Sequence, residues 1–276
     1  MDKEENLMSE SIFGFIGCGN MGGALATAAR KAVAGERILL ANRTPDKARA
    51  LAERLGATVV DNVGAARRSD YLFLGVKPQM MAGMLAGIRE ALAARERPCV
   101  LVTMAAGLTM AAIRELAGVD FPVIRVMPNT PAAIGKGVLL CCSDGVDDAQ
   151  LAAFTEAMAG AGLLGFIDEK QIDAASAISG CGPAFAAMLI EALADGGVAC
   201  GLPRADAQRF AAQMLLGTAA LALETGAHPG AMKDAVCSPG GSTIQGVRAL
   251  EAGGFRSAAF EAVIAAYEAT LALAKK

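Results

Sequence analysis

Three glycines near the N-terminus are spaced so that a strand can turn tightly into a helix. The sequence Gly17-Cys18-Gly19-Asn20-Met21-Gly22 follows an apolar run, Ile12–Ile16, and opens a helical pattern, Met21–Ala34. The first glycine of such a turn permits the bend, the second lets the backbone approach a pyrophosphate, and the third lets the helix pack on the strand. The N–H groups at the start of the helix then face the phosphate charge. We therefore expect residues 17–22 to bind a dinucleotide.

The end of the second apolar run, Arg37–Ala41, indicates which dinucleotide is bound. Sites for NAD often place an acidic residue there to bond the ribose 2′-hydroxyl group. This chain has Asn42-Arg43-Thr44 instead, and the planar guanidinium of Arg43 can pair with a 2′-phosphate. The pattern favours NADPH, with NADH as the second choice, and places Asn42 and Arg43 at the cofactor. A solvated arginine in a turn is the structural alternative.

Further polar and small residues follow later predicted strands, where ligands bind in parallel sheets. Val76-Lys77-Pro78 follows one strand, Ala105 and Ala106 end the next, and Asn129 lies in a loop after the sixth, between Pro128 and Pro131. Lys77 is in a position to meet a phosphate or a ribose. The stiff loop around Asn129 either forms a wall above the nicotinamide or is an ordinary rigid turn. We expect all of these residues at the cofactor.

A second glycine turn lies near the other end of the chain. Ser238-Pro239-Gly240-Gly241-Ser242-Thr243 precedes a helical pattern that begins with Ile244. Backbone N–H groups and a helix dipole converge in such a turn, so it can hold an anion. Since the dinucleotide fingerprint occurs only at the N-terminal end, this second turn is suited to a substrate carboxylate. The alternative is an ordinary N-cap by Ser238 or Ser242.

Two other features have weaker functional readings. Ser179-Gly180-Cys181-Gly182-Pro183 interrupts a strongly helical region, and it indicates either close helix packing or contact with a substrate. His228, the only histidine, lies in a turn, where we favour a structural role over that of a general acid. The sequence contains no cluster of ligands with metal spacing, so we predict no metal.

Composition excludes several classes of function. The chain has 276 residues and a net charge of −3, which argues against a nucleic-acid or anionic-membrane partner. Residues 1–10 lack the basic and apolar regions of a signal peptide. The longest uncharged run, Ala174–Ile190, falls short of the ~20 apolar residues of a membrane span and contains glycine and proline, so we expect it to be buried in protein. Seven cysteines without disulfide or zinc spacing suit reduced thiols in the cytoplasm.

Alternation of strand and helix patterns positions these residues. The remaining predicted strands are Tyr71–Val76, Val100–Ala105, Pro122–Val126, Val138–Cys142 and Leu163–Ile167. The remaining predicted helices of this half are Pro45–Leu55, Met81–Ala94, Met110–Ala117 and Asp148–Ala159. Such alternation predicts a mostly parallel sheet with helices on both faces, an α/β fold of the Rossmann type. After Asp168 only helical periodicity remains, with breaks at Ser179–Pro183, Gly196–Pro203, Gly226–Gly230 and Ser238–Gly241. We therefore predict a dinucleotide-binding domain over residues 1–167 and an all-helical domain over 168–276.

Taken together, these segments resemble the pyrroline-5-carboxylate reductase family. The similarity runs from Phe13-Gly14-Phe15-Ile16-Gly17 to Gly253-Gly254-Phe255-Arg256. Its most specific parts are Val76-Lys77-Pro78, Met127-Pro128-Asn129-Thr130-Pro131, Ser179-Gly180-Cys181-Gly182-Pro183-Ala184-Phe185, Ala194-Asp195-Gly196-Gly197-Val198, Gly201-Leu202-Pro203-Arg204 and Ser238-Pro239-Gly240-Gly241-Ser242-Thr243. Two departures are visible: Ser242 stands where many relatives have threonine or alanine, and Ala235 stands where many have a polar or acidic residue.

The resemblance implies an NADPH-dependent reduction of the cyclic imine 1-pyrroline-5-carboxylate to L-proline. It implies that the helical domain interlocks with a second subunit, that such dimers can assemble into rings, and that each active site lies between subunits. It also implies that Asn62 contacts the adenosine side of the cofactor and that Ala106 lines the nicotinamide region. On the substrate side it assigns the carboxylate to Gly240, Gly241, Ser242 and Thr243, and the ring nitrogen to the Thr243 hydroxyl group. It also places Glu169 near the substrate. Because the helix break at Ser179 could contact a substrate, we include Ser179 among the predicted substrate residues.

Two other functions compete with this interpretation. A related imine reductase or a β-hydroxyacid dehydrogenase would share the glycine turn and the helical domain. The dehydrogenases carry a catalytic lysine on the long helix after the sheet, whereas Ala174–Ala194 contains no lysine. A redox-sensing regulator would bind NADP without turnover, but it would have no use for the second glycine turn.

Overall fold

The computed structural model describes residues 10–273, so the expectation that residues 1–10 form no signal peptide lies almost wholly outside the described residues. The chain divides into two compact units. One comprises the chain up to Gly180 together with the end of the last helix from Tyr267, and the other is Cys181–Ala266. The first unit contains the sheet and the second is helical, as the alternation of patterns predicted.

The first unit is built on one eight-stranded sheet in the order β3-β2-β1-β4-β5-β6-β7-β8. Its strands are β1 (Phe13–Ile16), β2 (Ile38–Ala41), β3 (Thr58–Val59), β4 (Tyr71–Leu74), β5 (Val100–Thr103), β6 (Val123–Pro128), β7 (Gly137–Asp144) and β8 (Gly162–Phe166). All neighbouring strands pair in parallel except β6 and β7, which are antiparallel. The mostly parallel Rossmann-type sheet is thus confirmed, and its carboxyl-terminal edge collects the ends of β1 to β6.

Helices cover both faces of this sheet. They are α1 (Asn20–Ala29), α2 (Pro45–Leu55), α3 (Asn62–Arg68), α4 (Pro78–Ala93), α5 (Met110–Ala117), α6 (Asp148–Met158) and α7 (Ile172–Ser179). Two hydrophobic clusters form the core, one around Phe13, Phe15 and Phe73 and the other around Leu72 and Leu74. Because side chains alternate along a strand, successive residues of β4 enter opposite clusters.

The helical unit contains α8 (Gly182–Ala199), α9 (Arg204–Thr225), α10 (Pro229–Ala235), α11 (Ser242–Ala252) and most of α12 (Phe255–Leu273). Two predicted breaks are smaller than expected. Between α7 and α8 only Gly180 and Cys181 intervene, because Pro183 lies in the first turn of α8, where no N–H donor is needed. Gly196 lies inside α8, so that break begins only at Cys200.

The expectation that Ala174–Ile190 is buried is wrong for a single chain. Ile178 and Met188 are 65% and 68% exposed, and the helical stretch Glu169–Ala199 is long and apolar enough to span a membrane by length and composition alone. Large apolar side chains are also exposed elsewhere in the helical unit, among them Phe210, Leu223 and Phe260. In residues 181–266 the buried apolar residues are alanines: Ala194, Ala207 and Ala211. A unit with so little core of its own needs a cover for its apolar faces.

Candidate cofactor and substrate site

Predicted cofactor residues lie together along the carboxyl-terminal edge of the sheet. In the strand order, Asn62 follows β3, Asn42 and Arg43 follow β2, and the glycine turn of residues 17–22 follows β1. Continuing along the same edge, Val76, Lys77 and Pro78 follow β4, Ala105 and Ala106 follow β5, and Asn129 follows β6. The register pairs Ile16 with both Ala41 and Leu74, so the ends of these three strands are level. An extended ligand on this edge would cross the strand ends in that sequence.

The three glycines of the first turn have distinct surroundings. Gly17 has a φ of +102°, and a Cβ at this position would stand 2.5 Å from the carbonyl oxygen of Gly75. A Cβ at Gly22 would stand 2.0 Å from the carbonyl oxygen of Gly17, whereas a Cβ at Gly19 would meet nothing within 4 Å. Gly17 and Gly22 are thus required by the fold. Only Gly19 borders open space, as expected of the position where the backbone approaches a pyrophosphate.

Asn42 fastens the end of β2 to the glycine turn. Its Oδ1 accepts the N–H of Cys18 at 2.9 Å, and its Nδ2 donates to the carbonyl oxygen of Thr44 at 2.9 Å. The Asn42 amide therefore fixes the loop on which Arg43 is carried. Burial raises the pKa of the Cys18 thiol to about 11, so this residue of the turn stays neutral near pH 7.

Positive side chains lie on this edge near the end of β2. Arg43 is exposed, and no hydrogen bond or ion pair engages it within residues 10–273. A pocket of about 660 Å³ adjoins the glycine turn at Gly19 and Asn20 and is also lined by Lys47 and Arg54 of α2. The sequence interpretation missed these two cations, although their spacing of seven residues places them on one face of α2. Arg54 donates to Thr27 at 3.4 Å, whereas Lys47 has no such partner among the described residues.

The part of the edge at the ends of β4 and β5 carries an exposed lysine and several small residues. Lys77 is exposed immediately before α4, and Pro78 begins that helix. Ala105 is buried and donates its N–H to the Thr103 hydroxyl at 3.3 Å, while Ala106 is exposed. Gly107 continues the segment with a φ of +76°. This short segment between β5 and α5 carries Ala106 at the sheet edge.

Asn129 is buried, and both ends of its amide are engaged. Its Nδ2 donates to the carbonyl oxygen of Ser179 at 2.9 Å, and its Oδ1 accepts the N–H of Val138 at 2.9 Å. The Ser179 hydroxyl donates to the carbonyl oxygen of Ala175 at 3.1 Å. Asn129 thus ties the β6–β7 loop to the end of α7, and a cofactor contact for Asn129 or a substrate contact for Ser179 stays a prediction.

A buried arginine underlies the same part of the sheet. The Arg125 side chain is 3% exposed, and its guanidinium lies 3.4 Å from Glu169 and 3.1 Å from Asp173. Its Nε is buried without a hydrogen-bond partner. Glu169 also accepts the N–H of Met110 at 2.8 Å. The Oε1 atom of Glu169 is therefore already engaged within the chain, and its predicted substrate contact stays a prediction.

The second glycine turn begins α11 without a side-chain cap. Gly241 is the N-cap residue, and neither Ser238 nor Ser242 caps the helix, so the alternative of an ordinary serine N-cap is wrong. Gly240 has a φ of +70°, and Gly241 donates its N–H to the Ser238 carbonyl oxygen at 3.0 Å. Within residues 10–273, no hydrogen bond engages the exposed Thr243 hydroxyl. The first N–H groups of α11 and this hydroxyl are therefore available to an anionic ligand.

The two glycine turns share one feature. In each, a glycine occupies the N-cap of the following helix, and no side chain caps it. By contrast, α3, α5, α6 and α10 are capped by the side chains of Asp61, Thr109, Asp147 and His228. The Nδ1 of His228 accepts the Gly230 N–H at 3.1 Å, which is a structural role. No group of three or more potential metal ligands occurs among the described residues.

The first unit has a Rossmann-type sheet with an open glycine turn, and the helical unit that follows has a second glycine turn. This combination defines an oxidoreductase that uses a nicotinamide dinucleotide. Two family models match the chain: "NADP oxidoreductase coenzyme F420-dependent" over residues 12–107 and "Pyrroline-5-carboxylate reductase dimerisation" over residues 169–273. The chain is 39% identical to pyrroline-5-carboxylate reductase of Escherichia coli strain K12 over 270 residues, which cover 96% of this chain and 99% of that protein. The chain belongs to the pyrroline-5-carboxylate reductase family.

Solved structures agree with this assignment. The chain resembles a pyrroline-5-carboxylate reductase of Coxiella burnetii with a TM-score of 0.88 and 30% identity, covering 95% of this chain and 98% of that one. It resembles the Plasmodium falciparum pyrroline carboxylate reductase, solved with NADP bound, with a TM-score of 0.85 and 29% identity, covering 97% and 100%. The dimerisation match accounts for the exposed apolar helices, because assembly with another copy of the chain would cover them.

Proposed function

We propose that the protein reduces 1-pyrroline-5-carboxylate to L-proline and prefers NADPH over NADH. The observation that carries this proposal is the uncapped N-terminus of α11, with the free hydroxyl group of Thr243, in a chain that also has an open dinucleotide turn. A protein that only sensed the cofactor would need the first turn alone. A carboxylated cyclic imine uses both, and it is the substrate class named in the family.

The residues at the sheet edge fit the cofactor. The turn of residues 17–22 holds the pyrophosphate, Asn62 lies at the adenosine end, and Ala105 and Ala106 lie at the nicotinamide end. Val76, Lys77 and Pro78 flank the middle. When bound, the reduced nicotinamide supplies a hydride to the imine carbon. The chain itself contributes binding and orientation, which are the main sources of rate for such a reaction.

Two cations support the preference for NADPH. Arg43 follows β2, where a 2′-phosphate would be recognised, and the absence of an acidic residue there removes the usual partner of the NAD ribose. Lys47, in the first turn of α2, lines the pocket beside Gly19 and Asn20. The nearby Asp46 is paired with Arg49 at 3.0 Å, so its charge is partly neutralised. A dianionic 2′-phosphate would therefore meet net positive charge.

The second glycine turn binds the substrate carboxylate. The first backbone N–H groups of α11 and the hydroxyl of Ser242 are placed to receive it, and the positive end of the helix dipole favours its charge. Thr243 orients the ring nitrogen through its hydroxyl group. Because an imine is basic enough to arrive protonated, no strong general acid is needed, which agrees with the occupation of His228 Nδ1 in a helix cap.

We also propose a two-domain chain that works as a homodimer. Residues 1–167 form the cofactor domain, and residues 168–276 form the dimerisation and substrate domain, with each active site completed by a second subunit. The homodimer forms through the apolar faces of the C-terminal helices and can build a larger ring, and the enzyme acts in the cytoplasm. Burying faces that include Met188, Phe210 and Leu223 supplies the core that a single helical unit lacks.

A direct assay tests this function. The purified protein is mixed with NADPH and 1-pyrroline-5-carboxylate, and NADPH absorbance and proline are followed together. We expect equal amounts of NADPH consumed and proline formed, and a lower kcat/KM with NADH. NADPH binding without proline formation would instead support a cofactor sensor.

A further inference from the structure

The carboxylate of Glu169 joins two parts of the first unit that are distant in sequence. Its Oε1 accepts the N–H of Met110 at 2.8 Å and lies 3.4 Å from a guanidinium nitrogen of Arg125. Met110 is the first residue of α5, and it directly follows the segment 104–109 between β5 and that helix. Glu169 therefore fastens the C-terminal end of the segment that carries Ala106.

The rest of this segment is also anchored. At its start, the Ala105 N–H is bound by Thr103, which ends β5. At its end, Thr109 accepts the N–H of Ala112 at 3.2 Å, so the helix already has a local cap. Glu169 satisfies a different donor of the first turn, and it comes from 59 residues away. Between Ala105 and Met110, Ala106 and the capping residue Thr109 are exposed, and Gly107 has a left-handed conformation.

Arg125 holds this carboxylate in place from inside the sheet. It lies on β6 directly beside Thr103 of β5 in the strand register. Its side chain is almost fully buried, and its two terminal nitrogens face Glu169 and Asp173. A buried arginine requires such partners, because a charge removed from water is destabilising unless it is paired. Of the two carboxylates, only Glu169 also bonds the segment beside the cofactor edge.

We propose that Glu169 is a positioning residue for the nicotinamide end of the cofactor site. It holds residues 104–109 in the conformation that presents Ala106, and it acts through the Met110 N–H rather than by touching the substrate, while Arg125 only keeps its carboxylate in place. This inference rests on the proposed function, since it assumes that the nicotinamide lies at the end of β5. It replaces the predicted substrate contact of Glu169 with a role inside one subunit.

The test compares Glu169→Ala, Glu169→Gln and Asp173→Ala in the full-length protein. The alanine variant at position 169 leaves the Met110 N–H without its acceptor, whereas the glutamine variant keeps an amide oxygen that can accept it. Asp173→Ala breaks an ion pair to the same arginine but leaves the Met110 bond intact. The dissociation constant of NADPH is measured by fluorescence without substrate, and kcat and both KM values are measured with it. Thermal unfolding of each variant is recorded alongside.

We expect Glu169→Ala to weaken NADPH binding roughly tenfold, the size of one lost charge-assisted hydrogen bond. Its kcat falls while KM for the imine changes little. Glu169→Gln returns NADPH binding to within about twofold of the wild type, and Asp173→Ala stays in that range even if its melting temperature drops.

Two results would overturn the proposal. If both Glu169 variants raise KM for the imine and leave NADPH binding unchanged, the carboxylate acts on the substrate. If Asp173→Ala weakens NADPH binding as much as Glu169→Ala, the effect comes from the buried arginine and not from the Met110 bond. Failure of the proposed function has a different signature, namely a wild-type protein that binds NADPH normally but forms no proline.

Discussion

The α-carbon of Gly22 packs against the carbonyl oxygen of Gly17, so closely that a Cβ at position 22 would stand 2.0 Å from that oxygen. This contact lets α1 start directly beside the end of β1. Gly19 lies between the two in sequence, yet a Cβ there would meet open space. The turn therefore separates a glycine that the fold needs from one that borders open space, where we propose that the pyrophosphate binds.

Substitutions at these two glycines should have opposite consequences. Gly19→Ala keeps a conformation open to alanine, since its φ is −75°, and should leave the melting temperature within about 2 °C of the wild type. Its new methyl group occupies the space of the pyrophosphate, so NADPH affinity should fall at least roughly tenfold. Gly22→Ala should instead destabilise the fold by about 1–3 kcal/mol or more through overpacking. Thermal unfolding and NADPH titration of both variants check this, and a Gly19→Ala protein with normal NADPH affinity would remove the turn from the cofactor site.

Cofactor preference should depend on Arg43 and Lys47 together. Each alanine variant should raise KM for NADPH several-fold and leave KM for NADH nearly unchanged, because NADH lacks the 2′-phosphate. Arg68→Ala serves as the control, since Arg68 is an exposed arginine at the end of α3 that lies away from the cofactor edge. The kcat/KM ratio for the two cofactors is the measurement. Equal losses with NADPH and NADH would refute the 2′-phosphate role.

Helices bounded by strong local signals were predictable to the residue. Helix α2 begins at Pro45 and ends before Gly56, and α5 follows the capping residue Thr109 and ends before Gly118. Proline in the first turn and glycine in the left-handed conformation after the last are properties of the local sequence. The sequence patterns missed both β3 and α3. Helix α3 has a local signal in its capping residue Asp61, whereas β3 has only two residues and exists through pairing with β2. Such an element depends on a neighbour that no short window of sequence contains.

The glycine turns of the site were predictable from the sequence, whereas the hydrogen bonds around them were less so. Residues 17–22 and 240–243 each combine glycines with a following helical pattern, which is visible in the sequence. The absence of a side-chain cap at Gly241 is a matter of backbone geometry, so the sequence alone left serine capping open. Likewise, the contact between Glu169 and Met110 joins residues 59 apart in sequence, and it arises only when the turn before α7 meets the start of α5 in the folded unit. The exposure of Met188 could not be foreseen, because an apolar residue that will contact a second chain looks like any core residue.

Alkaline pH should destabilise the protein through its buried thiols. Burial raises the pKa of Cys141 to about 12 from an ordinary value of 9.0. Above about pH 9 the unfolded chain loses this proton and the folded chain keeps it, so the free energy of unfolding falls by up to about 1.4 kcal/mol per pH unit for this group. Below that pH, Cys141→Ala should be less stable than the wild type by a constant amount, because it leaves a cavity. The difference should shrink as pH rises to about 10.5. Denaturant unfolding of both proteins across this range is the measurement, and a constant difference would contradict the assigned shift.

Catalysis should depend on the hydroxyl group of Thr243. Thr243→Ala removes the hydroxyl group that we propose orients the ring nitrogen, and kcat/KM for the imine should fall roughly ten- to a thousandfold. Thr243→Ser keeps a hydroxyl group and should retain most of the activity. Because the side chain is exposed in the single chain and bonded to none of the described residues, neither substitution should lower the melting temperature of the protein much. Near-normal turnover by Thr243→Ala would show that the hydroxyl group has no such role.

The transfer of a label from cofactor to product tests the central claim most directly. The protein is supplied with NADPH that carries deuterium at the transferable C4 position of the nicotinamide and with unlabelled 1-pyrroline-5-carboxylate, and the product is analysed by mass spectrometry and NMR. The account predicts L-proline with one deuterium at C5. Proline without the label, or no proline while NADPH remains bound, would contradict it.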